Sequence, residues 1–516
     1  MAQQVSLQRM VYDSAERYPH QLAVADPSRK LTYAQFTQEI NALAHGLQEL
    51  TLAPQARILI LLTNSVEFLC AHFAILAAGG ISVPCDPNIN AEHLNLILMN
   101  AAPDFIVLSD TALAQHRDVF SKIAKNRLIV VTNTQKNTEI ISYSELIQAH
   151  CNRHFNPHLT RKNEIAAVMY TTGSTGIPKG VTLTHQNVLT TLHNISRFIG
   201  YTAQDREVVI LPLFHSFGLG HAYCNFLNGG FIYTEPGLAR IKRVLAAIQE
   251  YQATGFPGTP MGYGILLDRY ATLFQEQAQS LRFVVINSAP LPVERAQQII
   301  HLFPHINLMV YYGLTEASRS TFISLTQQTD MKRFSSVGKP FPNVDLNILT
   351  STGEPTKVGE VGNIIIRGPT VAQGYWRAEK NDPSFQNNEL HTGDLGYFDE
   401  EGYLYLVGRT KEMINVGGLK VVPIEVEKVL SQYPGIKEVA VTAILLNKEE
   451  LVGAAVVLKD EKISFDEEEC ARFCAKYLEK YKIPHTFTIL PSIPRNETGK
   501  IKRFELQKIL QEKCLC

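Results

Sequence analysis

The sequence predicts an α/β protein with a large multi-lobed N-terminal domain of mainly parallel sheets, followed by a smaller α+β C-terminal domain. Three observations predict this fold class. Over most of the chain, short apolar segments alternate with longer amphipathic ones, which is typical of parallel sheets covered by helices. From Val337 the pattern changes to short strands separated by turn residues, which predicts a small β-rich lobe. After Gly408 the chain becomes compact and charged, and we place the domain boundary between residues 409 and 410, giving domains 1–409 and 410–516.

Individual elements follow from the same patterns. Buried strands are predicted at residues 128–132, 165–170, 206–212, 283–286 and 308–311, and shorter ones in the β-rich lobe at 364–367 and 403–406. Amphipathic helices are predicted at residues 35–50 and 240–251. The apolar run at 58–84 is interrupted by Asn64 and Glu67, so it predicts a strand and a helix rather than a membrane span.

Composition narrows the classes of function. The 516 residues include 48 Lys+Arg against 49 Asp+Glu, so charge gives no indication of nucleic acid or of an anionic membrane as a partner. The first residues lack the apolar core of a signal peptide, and we expect no integral membrane association. The eight cysteines are scattered without metal-ligand spacing, which favours a reduced, cytoplasmic location.

The segment from Tyr170 to Gly180 has the composition of a phosphate-binding loop. Glycines let the backbone approach an anion, hydroxyls donate hydrogen bonds, and a lysine adds positive charge. The residues concerned are Thr171, Thr172, Gly173, Ser174, Thr175, Gly176, Lys179 and Gly180. It is not a Walker loop, because Pro178 stands where the second glycine belongs and Gly180 where the Ser/Thr belongs. A Gly/Ser-rich surface turn is the alternative.

Three further segments are candidates for ligand binding, and two of them follow predicted strands. Tyr312-Gly313-Leu314-Thr315-Glu316 lies just beyond an apolar strand, where open α/β sheets bind ligands, although it could also be a simple helix start. Asn287-Ser288-Ala289-Pro290 follows another strand. Thr392-Gly393-Asp394 precedes Gly408-Arg409 by one predicted hairpin, and the alternative there is a turn with a surface arginine.

In their order and spacing these segments resemble the motifs of the adenylate-forming superfamily, which includes acyl-CoA synthetases, carrier-protein-loading adenylation domains and firefly luciferase. The resemblance covers essentially the whole chain. It implies a set of ATP-binding residues: Thr171, Thr172, Gly173, Ser174, Thr175, Gly176, Lys179, Ser288, Ala289, Pro290, Tyr312, Gly313, Thr315, Asp394 and Arg409. It also implies that Glu316, with Thr175, holds Mg²⁺, for which a carboxylate oxygen is a suitable ligand.

The resemblance extends into the C-terminal domain, which it implies is mobile. Lys411 stands at the position of the family's hinge, and Gly417 and Gly418 at that of the tunnel for the thiol's pantetheine arm. A hairpin turn is the alternative for the two glycines. Lys500, in Thr498-Gly499-Lys500, stands at the position of the catalytic lysine, where it would stabilise charge moving between carboxylate and α-phosphate.

Residues 211–220 resemble the segment that lines the acyl pocket of the family. The resemblance implies an acyl pocket with His215, Phe217, Gly218 and Tyr311, and His215 contacting the carboxylate or gating the pocket. A buried, hydrogen-bonded histidine is the alternative for His215. Residues 211–234 contain no Asp or Glu, and a buried ammonium without a counter-charge would be costly, so a fatty or aromatic acid is favoured over an amino acid.

These features predict an AMP-forming acid–thiol ligase that uses ATP, Mg²⁺ and CoA. The phosphopantetheine of an acyl carrier protein is the alternative thiol, and amino acids the alternative substrates on that branch. An adenylate-only or luciferase-like enzyme would share every nucleotide motif. A non-catalytic nucleotide-binding module is less favoured because Lys500 and Glu316 are both present.

Overall fold

The computed structural model describes residues 6–50, 53–131, 139–172, 177–378, 382–387, 389–446, 449–460, 465–495 and 499–514. Of the residues assigned above, Gly173, Ser174, Thr175 and Gly176 lie outside these ranges, as does the side chain of Thr172. Thr498 also lies outside them.

The strands within the described residues fall into an N-terminal group, a β-rich group and a C-terminal group. In chain order they are β1 (Leu22–Ala25), β2 (Lys30–Thr32), β3 (Arg57–Leu61), β4 (Ile81–Pro84), β5 (Phe105–Leu108), β6 (Leu128–Val130), β7 (Ile141–Ser142), β8 (Ile165–Thr172), β9 (Pro178–Thr184), β10 (Arg206–Val209), β11 (Phe231–Thr234), β12 (Phe283–Ile286), β13 (Asn307–Tyr312), β14 (Thr321–Ser324), β15 (Lys339–Pro340), β16 (Asp345–Leu349), β17 (Gly362–Arg367), β18 (Phe385–Gln386), β19 (Glu389–Phe398), β20 (Leu404–Arg409), β21 (Ile414–Val416), β22 (Leu419–Val421), β23 (Ile436–Leu446), β24 (Glu449–Leu458) and β25 (Thr486–Ile489).

The helices alternate with the strands through the N-terminal region. They are α1 (Leu7–Arg17), α2 (Tyr33–Glu49), α3 (Val66–Ala77), α4 (Ala91–Ala101), α5 (Asp110–Gln115), α6 (Arg117–Phe120), α7 (Tyr143–His150), α8 (His185–Ile199), α9 (Ser216–Asn228), α10 (Ile241–Glu250), α11 (Pro260–Arg269), α12 (Ala271–Gln277), α13 (Val293–Leu302), α14 (Pro423–Leu430), α15 (Glu467–Cys474) and α16 (Arg503–Cys514). None of the helices in the described ranges is long and apolar enough to span a bilayer.

Two large sheets form the N-terminal region. One has the order β7-β6-β5-β3-β4-β8-β9, with all neighbours parallel except the β8–β9 hairpin. The other consists of β10-β11-β1-β2 and β12-β13-β14-β15, joined through bridges from Gly255 to Glu207 and to Phe283. A Cβ at Gly255 would lie 2.4 Å from the Phe283 ring, so this junction requires glycine.

The main core lies between these sheets. It combines Ile58 and Met169 of the first sheet with Val209 and Met309 of the second, and helices α2, α3, α8 and α9 contribute to it as well. Helix α3 is buried on every side, as its almost uninterrupted apolar sequence requires. The loops that follow the parallel strands lie beyond the carboxyl ends of those strands. This is where ligands bind in open α/β sheets.

The remaining sheets are smaller. Strands β16-β17-β19-β18, with β20 paired to β19, form the predicted β-rich lobe. The C-terminal sheet β23-β24-β25 packs α14 and α15 against one face and α16 against the other. The predicted fold class, mixed α/β with a large N-terminal and a smaller C-terminal domain, is thus confirmed.

Several predicted bounds differ from those of the structure. The strand predicted at 206–212 ends at Val209, because Pro212 and the residues around it form the turn that leads into α9. The strand predicted at 403–406 extends to Arg409, because it pairs along the longer β19. Strand 283–286 and the helices at 35–50 and 240–251 match to within two residues.

Candidate active site

Two neighbouring parallel strands bring the predicted adenine and phosphate segments together. β12 and β13 are paired in parallel, so residues 287–290 and 313–316 emerge from the same edge of the sheet. Ser288 has a φ of 85°, a left-handed conformation that is rare outside glycine. A Cβ at Gly313 would lie 2.2 Å from the backbone nitrogen of Arg319, so the tight turn after β13 requires glycine.

Tyr312, Asp394 and Arg409 form one connected group. The Tyr312 hydroxyl donates a 2.7 Å hydrogen bond to Oδ2 of Asp394, and Nε of Arg409 lies 2.7 Å from Oδ1. Asp394 and Arg409 are direct cross-strand partners on β19 and β20, so strand register fixes their pairing. Burial, together with the charge of Asp394, raises the pKa of Tyr312 well above its usual value and keeps its hydroxyl a donor.

The same group limits how Asp394 could contact a ribose. Both carboxylate oxygens already accept a hydrogen bond, one from tyrosine and one from arginine. Each oxygen has a second lone pair, so the carboxylate can still accept two ribose hydroxyls while it stays anchored. The arrangement therefore holds a carboxylate in place before any nucleotide binds.

On the phosphate side, Lys179 and Glu316 are connected through Tyr375. Lys179 lies opposite Thr171 in the β8–β9 hairpin. Its Nζ is 4.6 Å from the centre of the Tyr375 ring and 2.9 Å from Oδ2 of Asp382. The Tyr375 hydroxyl donates a 2.9 Å hydrogen bond to Oε1 of Glu316. Neither Tyr375 nor Asp382 was assigned from the sequence, because each acts through a contact with a distant segment.

Lys500 comes from the C-terminal region to the same side of the molecule. Its loop is closed by Arg495, which donates a 2.8 Å hydrogen bond to the Gly499 carbonyl. A Cβ at Gly499 would lie 3.6 Å from Met261 of α11, so this loop rests against the N-terminal region. The surrounding protein and the Arg409 guanidinium lower the pKa of Lys500, whereas the carboxylates of Asp394, Glu316 and Glu412 act in the opposite direction.

In the sequence, Lys411 and the two glycines of the predicted tunnel lie between Arg409 and Lys500. Lys411 is the middle residue of a 3₁₀ turn, Thr410–Glu412, directly after β20. Gly417 and Gly418 form the tip of the β21–β22 hairpin with φ values of 57° and 91°. Apart from their chain neighbours, no atom of the described residues lies within 4 Å of a Cβ built on either glycine, so the positive φ values of the hairpin turn favour glycine there.

The predicted acyl-pocket residues lie around the start of α9. Burial lowers the pKa of His215 to about 4; the charge of Asp86 opposes this shift and that of Lys500 adds to it. His215 is therefore neutral near pH 7. The rings of Phe217 and Tyr311 make an edge-to-face contact with centres 5.5 Å apart. A Cβ at Gly218 would lie 2.4 Å from the Pro212 carbonyl oxygen, so Gly218 serves the close approach of α9 to the preceding turn.

Two charged residues at this pocket were missed from the sequence. Arg319 follows Glu316 by three residues, and its guanidinium lies over the rings of Tyr311 and Phe217. Glu207, on β10, is fully buried against α9. Both residues lie outside residues 211–234, the segment from which the charge of the acyl pocket was predicted.

Glu207 is held by three donors. The Tyr201 hydroxyl donates to its Oε1, Nδ1 of His221 lies 2.8 Å from Oε2, and the Asn225 amide donates to Oε1 at 3.0 Å. A carboxylate surrounded in this way serves the packing of α9 and offers little to a substrate ammonium.

Comparison with known proteins identifies the family of this chain. The "AMP-binding enzyme" family model matches residues 11–376, and the "AMP-binding enzyme C-terminal domain" model matches residues 425–500. A long-chain-fatty-acid–CoA ligase of Bacillus subtilis (strain 168) is 30% identical over 98% of this chain and 94% of its own. An oxalate–CoA ligase of Arabidopsis thaliana is 28% identical over 96% of this chain and 97% of its own.

A solved structure agrees over the whole fold. ATP-bound MatB from Rhodopseudomonas palustris superimposes with a TM-score of 0.89 at 25% identity, covering 99% of both chains. With the family model matching most of its length, the chain belongs to the AMP-binding enzyme family, the adenylate-forming enzymes that its motifs resemble.

Proposed function

We propose that this protein joins a fatty or aryl carboxylic acid to CoA through an acyl-AMP intermediate, with residues of both domains acting on the nucleotide. The broader reaction class, AMP-forming acid–CoA ligation with ATP and CoA as substrates, is the activity of this enzyme. The observation that supports the residue assignment is that the loop of Lys500 rests against Met261 of α11, where the charges of Asp394, Arg409 and Glu316 act on the Lys500 amine.

The first half-reaction forms acyl-AMP. A carboxylate oxygen attacks the α-phosphorus of ATP, the bond to the β-phosphate oxygen breaks, and pyrophosphate leaves. Lys500 would stabilise the charge that moves between the carboxylate and the α-phosphate. The second half-reaction forms the thioester: the thiolate attacks the acyl carbon, the C–O bond of the mixed anhydride breaks, and AMP leaves.

The ribose and phosphates have separate candidate contacts. Asp394 would accept the ribose hydroxyls while Tyr312 and Arg409 hold its carboxylate. Lys179 and Thr315 would contact phosphate oxygens, with Ser288, Ala289 and Pro290 beside the adenine.

Glu316 fits a magnesium site. Its Oε1 is oriented by the hydroxyl of Tyr375, and a carboxylate oriented in this way is a suitable hard ligand for Mg²⁺. When bound, the ion would neutralise charge on the phosphates and so favour departure of pyrophosphate.

The choice of acid rests on the surroundings of α9. Residues 211–234 contain no carboxylate, Glu207 is occupied by three donors, and His215 is neutral near pH 7. These features favour a carboxylic acid without an ammonium group. The curated relatives named above act on acids as different as a long-chain fatty acid and oxalate, so likeness alone selects neither.

The acceptor would be reached by rotation of residues 410–516 about Lys411. Lys500 would serve the first orientation, and the hairpin with Gly417 and Gly418 would line the thiol path in the second. CoA is the acceptor of the reaction class, and a carrier-protein phosphopantetheine is the alternative. The six cysteines whose side chains the structure describes are free thiols, which supports a reduced, cytoplasmic compartment.

One screen tests this proposal. Pyrophosphate release is measured with ATP, Mg²⁺ and separate fatty, aryl and amino acids, and the thioester product is identified by mass spectrometry with CoA or holo carrier protein. We expect fatty or aryl acids to release pyrophosphate well above amino acids and to give acyl-CoA. A clear preference for a free amino acid, or acyl-AMP without any thioester, would contradict the proposal.

A further inference from the structure

Arg319 is a buried cation at the acyl side of the candidate site. Its side chain and backbone together are only 3% exposed, and its φ is 56°, in the left-handed region that few non-glycine residues adopt. The guanidinium carbon is 5.2 Å from the centre of the Tyr311 ring and 5.9 Å from that of Phe217. The fold therefore holds this arginine in a costly backbone conformation and surrounds it with aromatic rings.

The hydrogen-bond partners of Arg319 are neutral. Its Nη2 donates to the Phe217 carbonyl at 3.0 Å, and its Nη1 donates to the Ser216 carbonyl at 3.3 Å and to the Ser318 hydroxyl at 3.0 Å. Within the described part of the chain, no carboxylate lies at ion-pair distance from it. The other buried arginine of the described residues, Arg333, does have such partners, because it pairs with Asp399 and Glu401.

The buried carboxylate of Glu207 does not serve as a partner. Glu207 and Arg319 both act electrostatically on Tyr201, which places them in the same region. The oxygens of Glu207, however, are taken by Tyr201, His221 and Asn225. A cation that is removed from water without a carboxylate beside it is expensive, so an anion supplied from outside would stabilise it.

Arg319 also faces a cavity. The cavity is small, about 30 Å³, and its wall is largely apolar; the lining includes Met169, Leu183, Leu192, Tyr223, Ser216 and Arg319. Gly220 lines the cavity as well. A Cβ there would lie 2.5 Å from Nη2 of Arg319, so glycine at this position makes room for the guanidinium.

We propose that Arg319 binds a second anionic group on the acid, a carboxylate at the end remote from the one that is activated. A planar guanidinium can bind a carboxylate through two parallel hydrogen bonds, and the aromatic rings beside it keep water away. This inference rests on the proposed function and narrows it from fatty or aryl acids in general to those that carry such a group. Because the cavity is small, the bound acid would widen it, with the acid chain against the apolar wall and the remote carboxylate at Arg319.

Matched pairs of acids test this inference. Hexanoate is compared with hexanedioate, and 4-methylbenzoate with terephthalate, so that a methyl group replaces the remote carboxylate. The ratio of kcat/KM values for pyrophosphate release is measured within each pair. We expect the wild-type enzyme to favour at least one diacid roughly tenfold or more, and Arg319→Met to shift that ratio by about 100-fold toward the monoacid. Arg319→Lys should keep part of the preference.

A second variant and a control keep the result interpretable. Gly220→Ala retains the charge but displaces the guanidinium, and should reduce the diacid preference even where Arg319→Met fails to fold. Arg333→Met removes a buried arginine remote from the cavity and should leave the ratio unchanged. ATP binding by calorimetry verifies the fold of each variant.

Two results would overturn the inference. If the wild-type enzyme uses monoacids and shows no diacid preference, or if its ratio is the same in Arg319→Met and Gly220→Ala, Arg319 is a structural residue and the proposed function stands. If a protein that binds ATP releases pyrophosphate with neither member of either pair nor with any other acid, the proposed function itself fails.

Discussion

The residues proposed to bind the nucleotide and those proposed to act in only one half-reaction stand on different kinds of backbone. The first group stands on strands and the second on a loop and a turn. Asp394 and Arg409 stand on the paired strands β19 and β20, and the strand register sets their 2.7 Å pairing. Tyr312, the last residue of β13, donates a 2.7 Å hydrogen bond to Asp394 from a neighbouring sheet. Lys411 stands on a single 3₁₀ turn, and Lys500 stands on a loop close to residues 496–498, which lie outside the described residues. Strand pairing can hold a binding group in place permanently, whereas a loop can present a group in one orientation and withdraw it in another.

This comparison has a measurable consequence. Changes in the strand-held group should alter nucleotide affinity, because those side chains would bind ATP in every orientation of the C-terminal domain. Changes in the loop-held group should alter rates, because those side chains would act in one half-reaction only.

The largest effect is expected at Lys500. Lys500→Ala should lower the rate of acyl-AMP formation by roughly 10²-fold or more, because the moving charge loses its stabilising cation. Thioester formation from supplied acyl-AMP should largely survive. Both half-reactions are followed by pyrophosphate release and by thioester detection. Lys502→Ala is the matched control, since Lys502 lies two residues away and its exposed side chain pairs with Glu505. Equal damage to both half-reactions would show that Lys500 is wrongly assigned.

The second effect concerns the centre of the strand-held group. Asp394→Ala should weaken ATP and AMP binding by about 3 kcal/mol, since charge-assisted hydrogen bonds of about 1.5–3 kcal/mol each are lost. Calorimetric titration with ATP measures this directly. Asp345, an exposed aspartate of the same β-rich lobe, provides the control in Asp345→Ala. Unchanged affinity in Asp394→Ala would mean that the ribose binds elsewhere.

The hinge gives a third, more selective effect. Lys411 lies in a 3₁₀ turn, whose φ values are close to the −65° that proline imposes. Lys411→Pro should therefore hold the present orientation, with Lys500 beside the nucleotide residues, and restrict Thr410 as well. Acyl-AMP should still form while thioester production falls by roughly tenfold or more. Lys411→Ala should support both half-reactions, and normal thioester turnover in Lys411→Pro would contradict rotation at this position.

Much of this arrangement could be predicted because it is local in sequence. Tyr312 is the last residue of β13, and Gly313 and Glu316 follow it within four residues. Strands β19 and β20 form one hairpin that pairs Asp394 with Arg409. Hydrophobic periodicity likewise predicted the strands and helices to within a few residues, because burial against the sheets sets that periodicity.

The contacts that could not be predicted join distant segments. Tyr375 reaches Glu316 across 59 residues, and Arg319 reaches the carbonyl of Phe217 across 102. No local pattern records which side chains such packing brings together. Gly218 is a second example of a contact that the sequence does not reveal. The sequence predicts it as a pocket residue, and the structure adds that the backbone of Pro212 leaves no room for a side chain there. The conformations of Gly173 to Gly176 lie outside the described residues, so the phosphate loop stays a sequence prediction.

The smallest effect separates orientation from binding within the strand-held group. Tyr312→Phe keeps the ring for the adenine but removes the hydroxyl that donates to Asp394. A hydrogen bond to a charged group contributes about 1.5–3 kcal/mol. Because the Tyr312 hydroxyl orients Asp394 instead of contacting ATP, only part of this is lost on binding, and ATP affinity should fall by roughly five- to thirtyfold. The rate of thioester formation at saturating ATP should stay near that of the wild type, because Tyr312 would act in binding rather than in a half-reaction. Calorimetry and saturating turnover assays, run on the same preparation, measure the two quantities. A large loss of rate with unchanged affinity would reverse the comparison, since a strand-held residue would then behave like Lys500.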